Sequence, residues 1–361
     1  MTQDTVGDEP GLQPAMSPAP RRGSSIREVA RRAGVSETTV SHALSGKRHV
    51  APGTAARIQT IVKELGYVPH FAARTLQTRR SSIIGLVIPE ISNQFFGQIA
   101  YGVEYLANRR DHGVVLGTSQ SDRRREKRYF NMLRSGALDG LIFNPADVAS
   151  DTDLVAIAAG FPLVIIDEQV TGLESCPLVS SDHRQGGLLA GAHLRRLGHE
   201  HVAVFHGPPG LLSSRDRTEG ISTVFPDAIL LAGDYSEPTG ERLAAIVAAN
   251  YPEVTAIFAG NDLMAFGAIA EFARRGLHVP QDISVIGFDD IDFARRLVPA
   301  LTTIRQPASD IGKRAAGLLL DHLILGAELG PQRVSLPVEL IERHSTGSPR
   351  PLGKGAGRSD R

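Results

Sequence analysis

The sequence predicts an α/β protein with a small all-helical head and a larger body of two lobes, each a doubly wound parallel sheet. Three observations predict it. Between Ser24 and Arg80, three short amphipathic helical patterns are punctuated by Gly34, Pro52 and Gly66. From Ser82 onward, continuous Val/Ile/Leu runs alternate with amphipathic helical stretches, the mark of parallel strands covered by helices on both faces. These runs number about ten, more than one doubly wound sheet usually takes, so the body divides into two lobes with a cleft between them.

The 361 residues suffice for two to three domains and a sizeable core. Net charge is zero, but the positive charge is concentrated. Residues 21–80 carry 12 Lys/Arg against 3 Asp/Glu, a net +9, whereas residues 81–361 carry a net −6. That asymmetry points the head toward a polyanion. The single cysteine, Cys176, excludes an internal disulfide and a multi-cysteine zinc site. No metal or other cofactor is expected. The first residues, "MTQDTVGDEPGLQPAMSPAP", lack the basic and apolar regions of an export signal, and no apolar run approaches ~18 residues. The expected location is the cytoplasm, at the nucleoid.

In chain order, residues 1–23 are rich in Pro, Gly and polar residues and are expected to be disordered. Ser25-Ile26-Arg27-Glu28 has the S-x-x-E form of a capping box ahead of Val29, Ala30 and Ala33. Gly34 supplies a turn, Ser36 caps a second helix, and Val35, Val40, Ala43 and Leu44 face inward. Two helices joined by a short Gly-containing turn make a helix-turn-helix. A third helix opens at Pro52, buries Ile58, Ile61, Val62 and Leu65, and ends at Gly66. The outward positions at the start of the second helix are Glu37, Thr38, Thr39, Ser41 and His42, short polar groups flanked by Arg31, Arg32, Lys47 and Arg48. Such groups suit base edges and phosphates. For Thr39 and Ser41, phosphate positioning alone stays open as the alternative. After Pro69, "HFAARTLQTRR" is too short to hold a helix unaided, so it is expected to be helical only against a partner or DNA.

In the body, "IIGLVI" at 83–88 precedes a helix from about Gln94, "GVVLGT" precedes one from about Asp122, and "DGLIF", "PLVII", "HVAVF", "TAIFA" and "ISVIGF" continue the rhythm. No G-x-G-x-x-G follows the first strand, and no Walker loop, G-x-S-x-G or multi-histidine spacing is present, so an enzyme is not expected.

Seven motifs in register, "IREVARRAGVSETTVSHAL", "ELGYVPHFAARTL", "IIGLVIPEISNQFF", "DGLIF", "AGNDLMAFGA", "GLHVPQDISVIGFDD" and "PALTTIRQP", resemble the LacI-type (lactose/galactose/purine repressor) family of bacterial transcription regulators from Ile26 to about Arg343. The resemblance implies a DNA-binding head (24–69), a hinge helix (70–80) and an effector-binding body (81–343) of periplasmic-binding-protein-like fold. Lobe one is expected at 81–182 and 307–334, lobe two at 183–306 and 335–343, with a disordered tail at 344–361.

It further implies that the second helix enters the major groove with Glu37, Thr38, Thr39, Ser41 and His42. Many members carry Arg where His42 stands, which moves guanine recognition toward Arg48. Ala73 and Leu76 fall on the hinge, Leu76 as a wedge into the central base step. The family's sensing residues map onto Phe95, Phe96, Ser213, Arg217, Tyr235, Asp262 and Asp289, a set suited to a sugar, nucleoside or purine-like effector. Asp262 as a helix cap is the alternative. Only twelve residues separate Gly220 from Gly233, fewer than the family's usual run, so a shortened helix or connection is expected there.

The expected function is a sequence-specific repressor, a homodimer on a palindromic operator. The resemblance implies a dimer and not a tetramer, because tetrameric family members append a leucine heptad tail whereas this tail is Gly/Pro/Arg-rich with one Leu. The second possibility is a cytoplasmic small-molecule-binding protein whose regulation of DNA binding is partly lost.

Overall fold

The computed structural model describes residues 25–45, 48–67, 80–145, 155 and 160–350. The chain divides between Arg79 and Arg80 into a small helical unit and a larger α/β unit.

The helical unit contains α1 (Ile26–Ala33), α2 (Glu37–Ser45) and α3 (Pro52–Leu65). Ser25 caps α1, its side chain accepting from the Glu28 N–H at 3.3 Å, as the S-x-x-E pattern predicts. Gly34 ends the helix at φ 63°, a left-handed conformation that costs a residue with a Cβ roughly 1–2 kcal/mol. Val29, Ala30, Ala33, Val40, Ile58 and Tyr67 form the buried centre, with Val35, Ala43, Leu44, Ile61, Val62 and Leu65 packed around it. Apart from Tyr67, the sequence pattern turns these positions inward, and the three helices share one interior.

The larger unit has two six-stranded sheets. The first contains β1 (Ile83–Ile88), β2 (Gly113–Thr118), β3 (Gly140–Phe143), β4 (Leu163–Ile166), β5 (Leu178–Ser181) and β11 (Arg333–Leu336), in the order β11-β5-β4-β3-β1-β2 and parallel throughout. The second contains β6 (Val202–His206), β7 (Ile229–Ala232), β8 (Ala256–Ala259), β9 (Ser284–Asp289), β10 (Thr302–Arg305) and β12 (Glu339–Ile341), in the order β12-β10-β9-β8-β6-β7. Here β12 runs antiparallel to β10. The two short strands near the C-terminus raise the number above the ten or so apolar runs. Their alternating half-buried pattern, in "RVSL" and "ELI", hid them from a search for continuous apolar runs.

Helices α4 (Gln94–Arg109), α5 (Arg123–Arg134) and α10 (Ala308–Leu325) cover the first sheet; α6 (His183–Arg196), α7 (Leu212–Val224), α8 (Glu237–Asn250) and α9 (Asp262–Arg274) cover the second. Ala308, Ile311, Ala315, Leu319 and Leu320 of α10 bury themselves with Ile84, Leu86, Ile142, Val164 and Val179 of the first sheet. The chain therefore passes between lobes three times: after β5, after β10 and after β11. The third passage follows Leu336, because β11 belongs wholly to the first sheet, slightly later than the expected boundary at 334.

The expectation of a disordered tail from 344 is corrected for His344–Arg350. The Ser345 carbonyl accepts from the Val285 N–H at 2.8 Å, its hydroxyl accepts from the Thr302 N–H at 2.8 Å, and Ser345 is fully buried. Gly347 accepts from His199 Nε2 at 3.0 Å. These residues carry no apolar period; backbone and hydroxyl hydrogen bonds hold them, which patterning does not reveal. The segment between Gly220 and Gly233 still completes a 13-residue α7 and the strand β7, joined by Phe225–Ala228.

Candidate functional site

A cleft of about 830 Å³ opens between the C-terminal ends of the two sheets, and six of the seven predicted effector residues line it: Phe95, Phe96, Ser213, Arg217, Tyr235 and Asp289. The volume falls within the range of small-molecule sites.

Phe95 and Phe96 open α4, whose N-cap Asn93 accepts from the Phe95 N–H at 2.9 Å. Their rings pack edge to face with centroids 5.2 Å apart. Ser213 and Arg217 lie one turn apart on α7, and therefore on one face. The α7 helix can sit deep because it meets α6 at two glycines: a Cβ on Gly220 would stand 2.2 Å from the Arg184 carbonyl oxygen, and one on Gly187 2.2 Å from that of Arg217.

Arg217 is 4% exposed and almost fully engaged. Its Nη1 donates to the Gly260 carbonyl at 2.6 Å, Nε and Nη2 stand 3.4 and 3.3 Å from His183 Nδ1, and its guanidinium lies 3.8 Å from the Phe288 ring centroid. Donation to Nδ1 makes that nitrogen the acceptor and leaves the proton on Nε2. His183 Nε2 faces Asp167 Oδ1 at 3.0 Å, an ion-pair distance without hydrogen-bond alignment. Although burial opposes it, His183 and Arg217 hold the Asp167 carboxyl below its ordinary range.

Beside this group, both Glu168 oxygens accept from Ser213, one from the hydroxyl and one from the N–H at 3.2 Å. The Ser213 hydroxyl also stands 3.2 Å from that of Tyr235. Burial, aided by the Asp167 charge, pushes the Glu168 carboxyl up to about 8, and burial pushes the Tyr235 phenol up to about 12. Asp289 ends β9 at φ 124° and Asp290 follows at φ 58°. Two successive left-handed aspartates are strained, and Asp290 is anchored by Arg305 at 2.7 Å and Arg343 at 2.6 Å. This turn carries the Asp289 carboxylate into the cleft, where Gln306 Nε2 donates to it at 2.7 Å. Burial raises its pKa to about 7.

Asp262 is the predicted residue that the structure does not bring to the cleft. It is fully buried; Oδ1 accepts from the Thr303 hydroxyl at 2.6 Å and Oδ2 from the Ile291 N–H at 2.9 Å. Nor is it the cap. Asn261 caps α9, accepting from the Met264 N–H at 2.9 Å, and Asn261 lines the cleft in its place. Burial, with Asp289 nearby, drives the Asp262 carboxyl well above its usual range.

In the helical unit, Glu37 and Thr38 are exposed at the start of α2, Ser41 and His42 are half-buried, and Arg48 is exposed. Glu37 pairs with Arg27 at 3.2 Å. The Thr39 hydroxyl lies 2.9 Å from that of Ser36, which also accepts from the Thr39 N–H, so Thr39 takes part in the cap of α2. Ala73 and Leu76 lie outside the described residues.

The family described as Bacterial regulatory proteins, lacI family, matches residues 25–70, and a Periplasmic binding protein-like domain matches residues 192–346. A ribose operon repressor from Halalkalibacterium halodurans is 32% identical over 328 residues, covering 90% of this chain and 97% of that protein. The chain belongs to the lacI family of bacterial regulatory proteins. A second lacI-family relative, the HTH-type transcriptional repressor PurR of Escherichia fergusonii, is 32% identical over 330 residues, 89% of this chain and 96% of that protein. Among solved lacI-family structures, the lac repressor dimer bound to operator and the anti-inducer ONPF matches with a TM-score of 0.80 at 29% identity, covering 91% of this chain and all of that one. A regulator from Enterococcus faecalis with bound ribose matches with a TM-score of 0.68 at 30% identity, covering 74% of this chain and all of that one. Like these relatives, the chain is a DNA-binding transcriptional regulator with a periplasmic-binding-protein-like body.

Sequence reading missed Asp167, Glu168, His183 and Gln306, the buried polar partners of this lacI-family cleft. Asp167 and Glu168 directly follow the strand "LVII", and the C-terminal ends of parallel strands are where such folds place ligand groups. That signal was available. His183 and Gln306 carried none, because their roles exist only once two distant segments meet. Among the described residues no helix is long and apolar enough to cross a membrane, and no group of three or more His, Cys, Asp or Glu is placed to hold a metal ion.

Proposed function

We propose that this lacI-family chain is a homodimeric repressor that binds a palindromic operator through its helical head, with affinity set by a small-molecule effector in the interlobe cleft. One observation carries the reading: polar contacts in and around the cleft join the lobes. Glu168 of lobe one receives Ser213 of lobe two, Asp167 faces His183, and Gln94 pairs with Asp292. A ligand seated there competes with these contacts and has a different affinity for each lobe arrangement, which is the requirement for control. On the head, Thr38, Ser41, His42 and Arg48 are the base- and phosphate-contacting side chains, with Glu37 at the rim. Ala73 and Leu76 belong to the segment that relays the lobe movement. The relative named as a ribose operon repressor and the solved regulator with bound ribose support a sugar among the sugar, nucleoside and purine-like effectors expected. The regulator acts without catalysing a reaction.

The test is a mobility-shift titration on a palindrome obtained by selection from random duplexes. Tight binding with a steep loss on raising salt is expected, released or strengthened by a member of a sugar and nucleoside library. Binding no tighter than to random duplex overturns the reading.

A further inference from the structure

The charges lining the cleft do not balance. Among the described residues, Glu90, Asp167, Glu168, Asp234, Glu237 and Asp289 line it against one cation, Arg217. Three of the acids are buried: Asp167, Glu168 and Asp289 are 5%, 4% and 8% exposed. Three of the five N–H donors of Arg217 go to Gly260 and His183, and its charge is shared among Asp167, Glu168 and Asp289. The three buried acids therefore exceed the one buried cation by two charges. A buried carboxyl without a counter-charge either keeps its proton or receives a cation.

Two further atoms point to a ligand. Asn144 Nδ2 and Gln306 Oε1 are buried, belong to residues that are 2% and 3% exposed, line the cleft and have no hydrogen-bond partner among the described residues. Such orphans are destabilising unless something fills them. Gln306 Oε1 sits on the same amide whose Nε2 donates to Asp289 Oδ1. The cleft therefore presents two acceptors, the Asp289 carboxylate and Gln306 Oε1, at one place. A hydroxyl brings one donor to that place, an ammonium three, and a phosphate or carboxylate none.

We propose that the effector is a polyhydroxylated compound carrying a protonated amine, of the amino sugar or aminocyclitol class. Its ammonium meets Asp289 and Gln306 Oε1, and a hydroxyl oxygen accepts from Asn144 Nδ2. Phosphorylated and carboxylated analogues are rejected by the surplus carboxylates. The ammonium draws the protons off Asp289 and Glu168, whose other charged or titratable neighbours are Asp167, Arg217, Tyr235 and, beside Asp289, Asp262. Uptake of the amine therefore releases protons, whereas uptake of a neutral sugar does not.

This inference rests on the effector-cleft reading above. The experiment uses the full-length protein and matched sets that differ in charge: glucose, glucosamine and glucose 6-phosphate; galactose, galactosamine and galactose 6-phosphate; and an inositol with its amino and phosphate derivatives. Thermal shift and calorimetry at pH 7 are expected to show the amine of at least one set binding about tenfold or more tighter than its neutral parent. The phosphate esters give no shift, and the amine's binding enthalpy varies with the ionisation enthalpy of the buffer. Asp289→Asn removes the preference, bringing amine and parent to the same affinity. A neutral or phosphorylated member binding as tightly as the amine, an amine preference that survives Asp289→Asn, or no amine binding in any set overturns the proposal. A neutral sugar that alters operator binding and binds at least as tightly as every amine overturns the amine class while upholding the effector cleft, so the two failures are distinguishable.

Discussion

Gln94 and Asp292 hold each other in a reciprocal pair between the lobes: Gln94 Nε2 donates to Asp292 Oδ2 at 2.9 Å, and Gln94 Oε1 accepts from the Asp292 N–H at 2.7 Å. Gln94 begins α4 of lobe one, and Asp292 follows β9 of lobe two. Beside them, Ile291 of lobe two buries itself in the lobe-one core. Gln94→Ala removes both bonds, worth about 1–2 kcal/mol together. The Asp292 amide is then expected to exchange faster with solvent deuterium, while amides of β1 and β9 keep their protection. An unchanged Asp292 rate counts against the pair as a latch.

Arg217 neutralises acids that its own burial would otherwise leave costly. Arg217→Leu is expected to destabilise the body by about 3–5 kcal/mol, because Asp167 and Asp289 lose the cation beside them. Chemical denaturation of the full chain measures it. A loss under about 1 kcal/mol means that the acids are neutral without the arginine.

Stability should fall as pH rises above neutrality. Glu168, at about 8 in the folded chain against an ordinary 4.5, and Asp289, at about 7 against 3.8, hold protons that the unfolded chain has lost. For raised acids the contribution is complete below the unfolded pKa and disappears as pH climbs through the folded one. His193 and His199, lowered by burial, work in the opposite direction, but only up to about their unfolded 6.5. The carboxyl groups therefore decide the slope between about pH 7 and 8.5. Glu168→Gln keeps an acceptor for Ser213 and is expected to flatten the fall of the thermal midpoint in that window. Parallel slopes for the two proteins remove Glu168 as a cause.

At the α6–α7 crossing, Gly220→Ala is expected to cost about 1–3 kcal/mol, since the new Cβ meets the Arg184 backbone and not a flexible side-chain tip. Displacing α7 also moves Ser213 and Arg217, so effector affinity is expected to fall while operator affinity without effector holds. Thermal shift and mobility-shift titrations separate the two. Wild-type effector affinity in Gly220→Ala means that the site tolerates the displacement.

On the head, Arg48→Ala is expected to relax discrimination at one G·C pair by about 1–3 kcal/mol. Leu76→Ala should weaken operator binding far more than non-specific binding. Competition titrations against single-pair operator variants and random duplex measure both. Equal losses on every duplex reduce either residue to a phosphate or packing role.

The two-lobed plan of the body, the three helices of the head and six of the seven cleft residues were determined by sequence alone. They rest on local rules: apolar period, the Ser25 cap, Gly34 and Gly66 at helix ends, and motifs that keep their spacing. The tertiary structure decided what depends on meetings between distant segments. Asp262 looked like a cleft residue or a cap because it stands at the start of α9. Its side chain turns inward to Thr303, and Asn261 takes both places. Ser345, in a stretch with no apolar pattern, is locked by backbone groups of β9 and β10 that only folding brings near. Glu168 and Asp289 were plain acids in the sequence. Burial in a low-dielectric cleft with too few cations is what makes them proton-binding groups, and that imbalance exists only when the lobes meet.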